Sequence, residues 1–173
     1  SSDLAISSAT GAQNSTLNAG DVVSVTVSTS EVVTVTGTPQ LTLNVGGTNR
    51  TANYSSGSGS SSLVFTYTIQ AGDSDTNGIA IAANSLSLNG GSIVDTAGNS
   101  ATLTHTAVTD NTSYTVDTSS PTISSVAISS ATGAQNSTLN AGDVVSVTVS
   151  TSEVVTVTGT PQLTLNEIGR AHV

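Results

Sequence analysis

Cysteine, methionine, tryptophan and lysine are absent from this 173-residue chain, and phenylalanine occurs once. Without cysteine there is no disulfide, no thiolate metal site and no cysteine nucleophile, so a secreted origin would be bacterial in style, with packing or bound ions in place of crosslinks. Two basic residues stand against eleven acidic ones, leaving a net charge of −9. Phosphate-rich partners are bound by neutralising their charge with Lys and Arg, so this balance excludes nucleic acid and anionic lipid as partners. No apolar run approaches the roughly 20 residues of a spanning helix, and no charged and apolar leader stands at the N-terminus, so no membrane insertion is expected. Scarcity of Lys, Glu, Leu and Met argues against amphipathic helices.

Ser, Thr, Gly, Asn and Val dominate instead. Val, Ile and Thr suit pleated surfaces, and Gly, Asn, Asp and Ser suit tight turns between short strands. The length is room for one ordinary domain and part of another.

The strongest signal is internal. Ala5 to Asn44 recurs at every position as Ala127 to Asn166, an offset of 122 residues. An identical stretch of 40 residues marks a recent duplication, and the spacing is too long for a solenoid unit but right for tandem sandwich domains. The predicted organisation is one repeat over residues 1–118, a linker and start of the next over 119–126, a truncated second repeat over 127–166, and a tail over 167–173. Val116-Asp117-Thr118-Ser119-Ser120-Pro121 reads as a short, stiff junction, because proline fixes its own φ and favours extended chain before it. The tail, Glu167 to Val173, departs from the repeat where Val45-Gly46-Gly47 should recur, and it reads as the translation of a common sequencing adapter. It is therefore set aside as non-native, and the native gene is expected to continue as Val-Gly-Gly.

Period-two alternation marks the strands. Leu4 to Ser8, then Val23, Val25 and Val27, Val33 and Val35, and Leu41, Leu43 and Val45 lead to Gly46-Gly47, a two-residue turn whose central positions both favour positive φ. Ala52 and Tyr54 return. Leu63, Phe65, Tyr67 and Ile69 form the most apolar face, and Ile79 with Ile81, Leu86 with Leu88, Leu103 to Val108, and Tyr114 with Val116 complete eight or nine short strands. The predicted class is all-β, a two-sheet sandwich with a thin core of Val, Ile, Leu and one Phe.

Several stretches carry a resemblance: Gly37-Thr38-Pro39-Gln40-Leu41-Thr42-Leu43-Asn44, Ala71-Gly72-Asp73-Ser74-Asp75-Thr76-Asn77-Gly78-Ile79, Asp95-Thr96-Ala97-Gly98-Asn99, and Val116-Asp117 before Pro121. Through them, over nearly all of residues 4–166, the chain resembles the immunoglobulin-like tandem repeats of large bacterial surface and secreted adhesins. The resemblance implies an extended extracellular or cell-surface rod of many copies. Neighbouring repeats would be its immediate partners, and host, surface or matrix ligands would be met through other domains.

Asp73-Ser74-Asp75-Thr76-Asn77-Gly78-Ile79 matches the opening of a calcium loop, in which alternate carboxylate and amide oxygens converge on a hard cation and Gly permits the sharp turn. The twelfth position is Asn84 rather than a bidentate Glu, which rules out an EF-hand. Two readings stay open, a calcium site at Asp73, Asp75 and Asn77, or an Asx-rich turn between strands. The resemblance favours calcium and the missing acid disfavours it. Asp95 and Asp117 are weaker candidates for an additional or inter-repeat site, with the turn reading ahead for each. Asp21, repeated as Asp143, is expected to close a turn. His105 shares a strand face with Leu103 and Ala107, where a hydrogen-bonded histidine is the expectation. No nucleophile, base and acid assemble around it, so no enzyme is expected. The leading functional expectation is a structural spacer or adhesive repeat. Its alternative is a carbohydrate- or surface-binding module, or an accessory module of a secreted enzyme, which an exposed row of aromatic side chains would favour.

Overall fold

The alternation of Val with Ser and Thr translates directly into strands that bury every second side chain. A computed structural model describes residues 3–166. The non-native reading of 167–173 lies outside the described residues, as do the first two serines. The chain is all-β, with no helix among the described residues. It divides into two units, Ser1–Ser119 and Ser120–Val173.

In the first unit the strands are β1 (Asp3–Thr10), β2 (Thr16–Leu17), β3 (Val22–Thr36), β4 (Gln40–Val45), β5 (Thr48–Ser56), β6 (Ser60–Thr68), β7 (Ser74–Asp75), β8 (Leu86–Ser87), β9 (Ser92–Asp95) and β10 (Thr115–Asp117). The larger sheet runs β1-β3-β6-β5-β4-β8, antiparallel throughout, with β9 added on β3. The smaller sheet is β2-β10-β7, in which β10 runs parallel to β2 and antiparallel to β7. Long β3 serves three partners. Its first half lies between β1 and β6, its register breaks between Ser28 and Val33, and Val33 to Thr36 then pair with β9.

Both sheets feed one core. Ile6, Val23, Val25, Val27, Leu41, Leu43, Leu63 and Phe65 from the larger sheet are buried in the same cluster as Leu17 and Val116 from the smaller one. Phe65 lies opposite Val25 on one side and Tyr54 on the other, and the Tyr54 ring meets it edge-on at 5.9 Å and 71°. At Gly46-Gly47 the hairpin closes between Val45 and Thr48 with φ of 55° and 85°, as the sequence predicts.

Several expectations change. Val23 to Val35, read as two strands, lies in one strand whose register with β6 shifts partway along. Leu103 to Val108 and Ile79 with Ile81, each read as a strand, form none; Val108 and Ile81 make only an isolated bridge to each other. Ala107 is exposed while His105 is buried, so the shared face expected for them is absent.

The second unit contains β11 (Ile123–Thr132) and β12 (Val144–Thr151), paired with each other as a two-stranded sheet. The register repeats that of β1 and β3 residue for residue: Ile6 faces Val25, and Ile128 faces Val147, with the same irregularity after each Ile. Even the turn is copied, with positive φ at Asn14 and Ser15 and again at Asn136 and Ser137.

Candidate functional site

Sequence singled out the Asp73–Asn77 segment, and the fold places it where the β4–β5 hairpin, the end of β6 and the first unit's last strand, β10, meet. Ser74 and Asp75 form β7 by pairing with Asp117 and Val116 of β10. Alternation along this strand turns the carboxylate of Asp75 inward. Its Oδ2 accepts a hydrogen bond from the Gly46 amide at 2.7 Å, and its Oδ1 accepts from the Gly78 amide at 2.8 Å and the Asn77 amide at 3.2 Å. One buried side chain thus fixes its own loop and holds the tip of the β4–β5 hairpin.

Asp73 is buried as well, at 3 % exposure, and its carboxylate faces a different set of donors. Arg50 on β5 donates through Nε to Oδ1 at 2.7 Å and places Nη2 2.5 Å from the same oxygen. On Oδ2 the Tyr67 hydroxyl donates at 2.5 Å and the Gln70 amide at 2.9 Å. Thr118 Oγ1 then donates to the Asp73 carbonyl and accepts from the Gly72 amide, both at 2.9 Å, which ties the segment after β10 to this loop. Asn77 turns outward, donating through Nδ2 to Asp110 at 2.5 Å.

The motif is therefore resolved into three separate hydrogen-bonding roles. The guanidinium of Arg50 supplies the positive charge that Asp73 faces. Among the described residues no group of three or more His, Asp or Glu side chains is placed to hold a metal ion. No buried side-chain nitrogen or oxygen among them lacks a partner.

Burial alone would push the Asp73 carboxyl up. The hydrogen bonds from Tyr67, Gln70 and Arg50, with the Arg50 charge, outweigh it and hold the carboxyl below its ordinary 3.8. Burial, then the hydrogen bond to Asp73, pushes the Tyr67 phenol from 10.0 to about 12. The two signs predict a stability plateau with two edges. A carboxyl depressed in the fold contributes above its unfolded value and loses that contribution as pH falls through the lower, folded one. A phenol raised in the fold contributes fully below pH 10 and loses it as pH climbs from 10 towards 12. Urea midpoints against pH should be flat near neutrality and fall at both ends, and Tyr67→Phe should remove most of the alkaline fall. An alkaline fall that Tyr67→Phe leaves intact would assign it to another group.

Gly46 meets the loop backbone at close range. A Cβ there would lie 1.8 Å from the Ser74 carbonyl oxygen, whereas at Gly47 it would meet nothing within 4 Å. Both residues have positive φ, which costs a side chain about 1 kcal/mol. Gly46→Ala should therefore cost at least about 1 kcal/mol more than Gly47→Ala in the same denaturation assay. Equal losses would mean that the hairpin tip does not rest on β7.

The weaker candidates close turns. Asp95 Oδ1 accepts from the Ala97 and Asn99 amides at 2.8 Å and Oδ2 from Asn99 Nδ2 at 2.7 Å; the Asn99 side-chain hydrogen bond leads in lowering its pKa. With Glu31 and Asn99 it borders an open cleft of about 210 Å³. Asp117 accepts from the Ser119 amide at 2.9 Å. Asp21 accepts from the Asn18 amide at 2.8 Å and Asp143 from the Asn140 amide at 2.7 Å, so both close the expected turn.

His105 accepts a hydrogen bond at Nε2 from the Ser85 amide at 2.9 Å and lies 2.8 Å through Nδ1 from the Thr106 carbonyl. An amide donor and a carbonyl acceptor require the neutral tautomer protonated on Nδ1. Both nitrogens are engaged in pinning the irregular segment that follows β9.

Arg50 is the residue that sequence reasoning passed over. Its signal was available: it is the one basic side chain outside the tail of a chain with eleven acids, and it stands inside a strand. Compared with protein-family models, curated proteins and solved structures, the chain matches none.

Proposed function

We propose that this chain is part of a large extracellular bacterial surface protein in which immunoglobulin-like sandwich modules repeat in tandem as spacers or adhesive units. One observation carries the reading: the 122-residue offset joins two identical segments that fold into hairpins of the same register. A sequence copied without change and folded the same way twice is what a modular array requires. The two-sheet sandwich fits the single core to which both sheets of the first unit contribute.

The chemistry of the surface agrees. Phe65 and Tyr67 are buried and Tyr54 and Tyr114 half-buried, so the described residues present no row of open rings on which a sugar could stack. In this reading the Asp73–Asn77 segment is a mechanical clip that joins β5, β6, β7 and the segment after β10. Long-read sequencing of the native gene tests the proposal. Further copies at the 122-residue spacing are expected, and a gene in which the segment occurs without a tandem array would overturn it.

A further inference from the structure

We propose that Asn89 is a self-modification site, at which the turn Leu88-Asn89-Gly90-Gly91 converts without an enzyme into a mixture of aspartyl and isoaspartyl forms. Two Asn-Gly pairs occur in the chain, Asn77-Gly78 and Asn89-Gly90. A glycine after asparagine has no side chain to shield its amide nitrogen, which can then reach the asparagine side-chain carbonyl carbon; asparagine is thermolabile for this reason. Local sequence makes the two pairs equal, and the fold makes them unequal.

At Asn77-Gly78 both reacting groups are held. The Gly78 amide is buried and donates to Asp75 Oδ1 at 2.8 Å, and a carboxylate acceptor opposes loss of the proton that would free the nitrogen to attack. Asn77 Nδ2, the leaving group, donates to Asp110 at 2.5 Å. The Ile79 amide donates to the Tyr114 carbonyl at 3.1 Å, and a Cβ on Gly78 would lie 2.1 Å from the Asn111 carbonyl oxygen. The backbone therefore cannot swing there without displacing its neighbours.

At Asn89-Gly90 the restraint is slight. The pair forms the centre of a type I′ turn, with φ of 46° and 78°, closed by the Gly91 amide on the Leu88 carbonyl at 2.8 Å. Both residues are exposed, and the Gly90 amide donates to no group among the described residues. One contact holds the leaving group, from Asn89 Nδ2 to the Thr38 carbonyl at 3.2 Å. Local opening of this exposed turn is enough to bring nitrogen against carbon.

The reaction needs only water. Hydroxide takes the Gly90 amide proton, the nitrogen bonds to Asn89 Cγ, the Cγ–Nδ2 bond breaks, and Nδ2 leaves as ammonia after taking a proton from water. Water then opens the cyclic imide at either carbonyl, so the chain keeps its path with an aspartate or runs on through the side-chain carbon as isoaspartate. Either product sets a carboxylate against the Thr38 carbonyl that the amide group served. The isoaspartyl product also lengthens the backbone of a turn that packs tightly on the β3–β4 connection, where a Cβ on Gly37 would lie 2.9 Å from Gly91 Cα. Modification thus loosens that contact and adds one negative charge.

The full chain, incubated at mildly alkaline pH both folded and in urea, tests this by peptide mass mapping with enzymatic methyl labelling of isoaspartate. In the folded chain Asn89 should convert at least about tenfold faster than Asn77, the difference set by local opening. In urea the two should convert at similar rates. Gly90→Ala, whose methyl group shields the nitrogen, should slow conversion of Asn89 in urea and leave that of Asn77 unchanged. Three results would overturn the proposal: a folded chain in which Asn77 converts as fast as Asn89, a folded chain whose Asn89 stays intact while the urea sample converts, or Gly90→Ala converting in urea at the parent rate, which would indicate direct hydrolysis.

Discussion

Asp73→Ala is expected to cost about 3 kcal/mol of unfolding free energy, the lower part of the range for breaking a buried ion pair. The carboxylate is buried and holds Arg50, the Tyr67 hydroxyl and the Gln70 amide, so its removal strips partners from β5, from β6 and from the loop after β6 at once. The Arg50 side chain is 33 % exposed and can turn to water, which keeps the loss from being larger. Tyr67 and the Gln70 amide are less free to do so, and each unmet donor costs about 1–3 kcal/mol. Urea unfolding of the full chain, followed by circular dichroism, reads the difference. A loss under about 1 kcal/mol would place the contact among exposed surface pairs and remove it as the clip of the fold. Repeating the measurement in calcium and in chelator separates the two roles considered for this residue: equal losses fit the hydrogen-bonded clip, and a distinctly greater loss in calcium would show that a cation also uses the carboxylate.

Phe65→Ala should cost about 3–5 kcal/mol, in line with truncation of a buried aromatic. Phe65 is the largest of the fully buried side chains and is flanked in register by Val25 and by Tyr54. The edge-on contact with Tyr54 would be lost too, a further contribution of order 1 kcal/mol. Phe65→Leu, which refills most of the volume, should recover about half of the loss. If Phe65→Ala cost less than about 1.5 kcal/mol, the core would have to be centred elsewhere.

Alternation made most of this architecture legible. Val23, Val25 and Val27, Leu41 and Leu43, and Leu63, Phe65 and Tyr67 are buried as their spacing requires, and the Gly46-Gly47 turn follows from its residue types. What stayed hidden depends on partners distant in sequence. The repeat shows this directly, since Gln40 to Asn44 form a strand between β5 and β8 whereas the identical residues 162–166 form none. In the same way Val33 to Thr36 are a strand against β9, and their copies 155–158 are not. Local preference is equal in each pair, so the difference comes from the neighbour that accepts the hydrogen bonds. The Asp73–Asn77 motif was visible for the same reason that its geometry was not. Residue types reveal which oxygens are available, but the donors that claim them, Arg50, Tyr67 and Gly46, come from other strands.

The identical copies also provide the most direct test of the account, because one substitution can be made twice in the same local sequence. Val25 is fully buried between β1 and β6, and Val147 is partly exposed with β11 as its sheet partner. Val25→Ala should therefore lower the free energy of the main unfolding transition by about 2 kcal/mol, the value of a buried Val side chain shortened by two methyl groups. Val147→Ala should leave that transition within about 0.5 kcal/mol of the parent, as for a surface position. Both are to be measured in the full chain at low protein concentration, so that exchange between molecules does not contribute. That asymmetry is the result predicted if Ala5 to Asn44 complete the framework of residues 45–116; equal losses, or a greater loss at Val147, would contradict it.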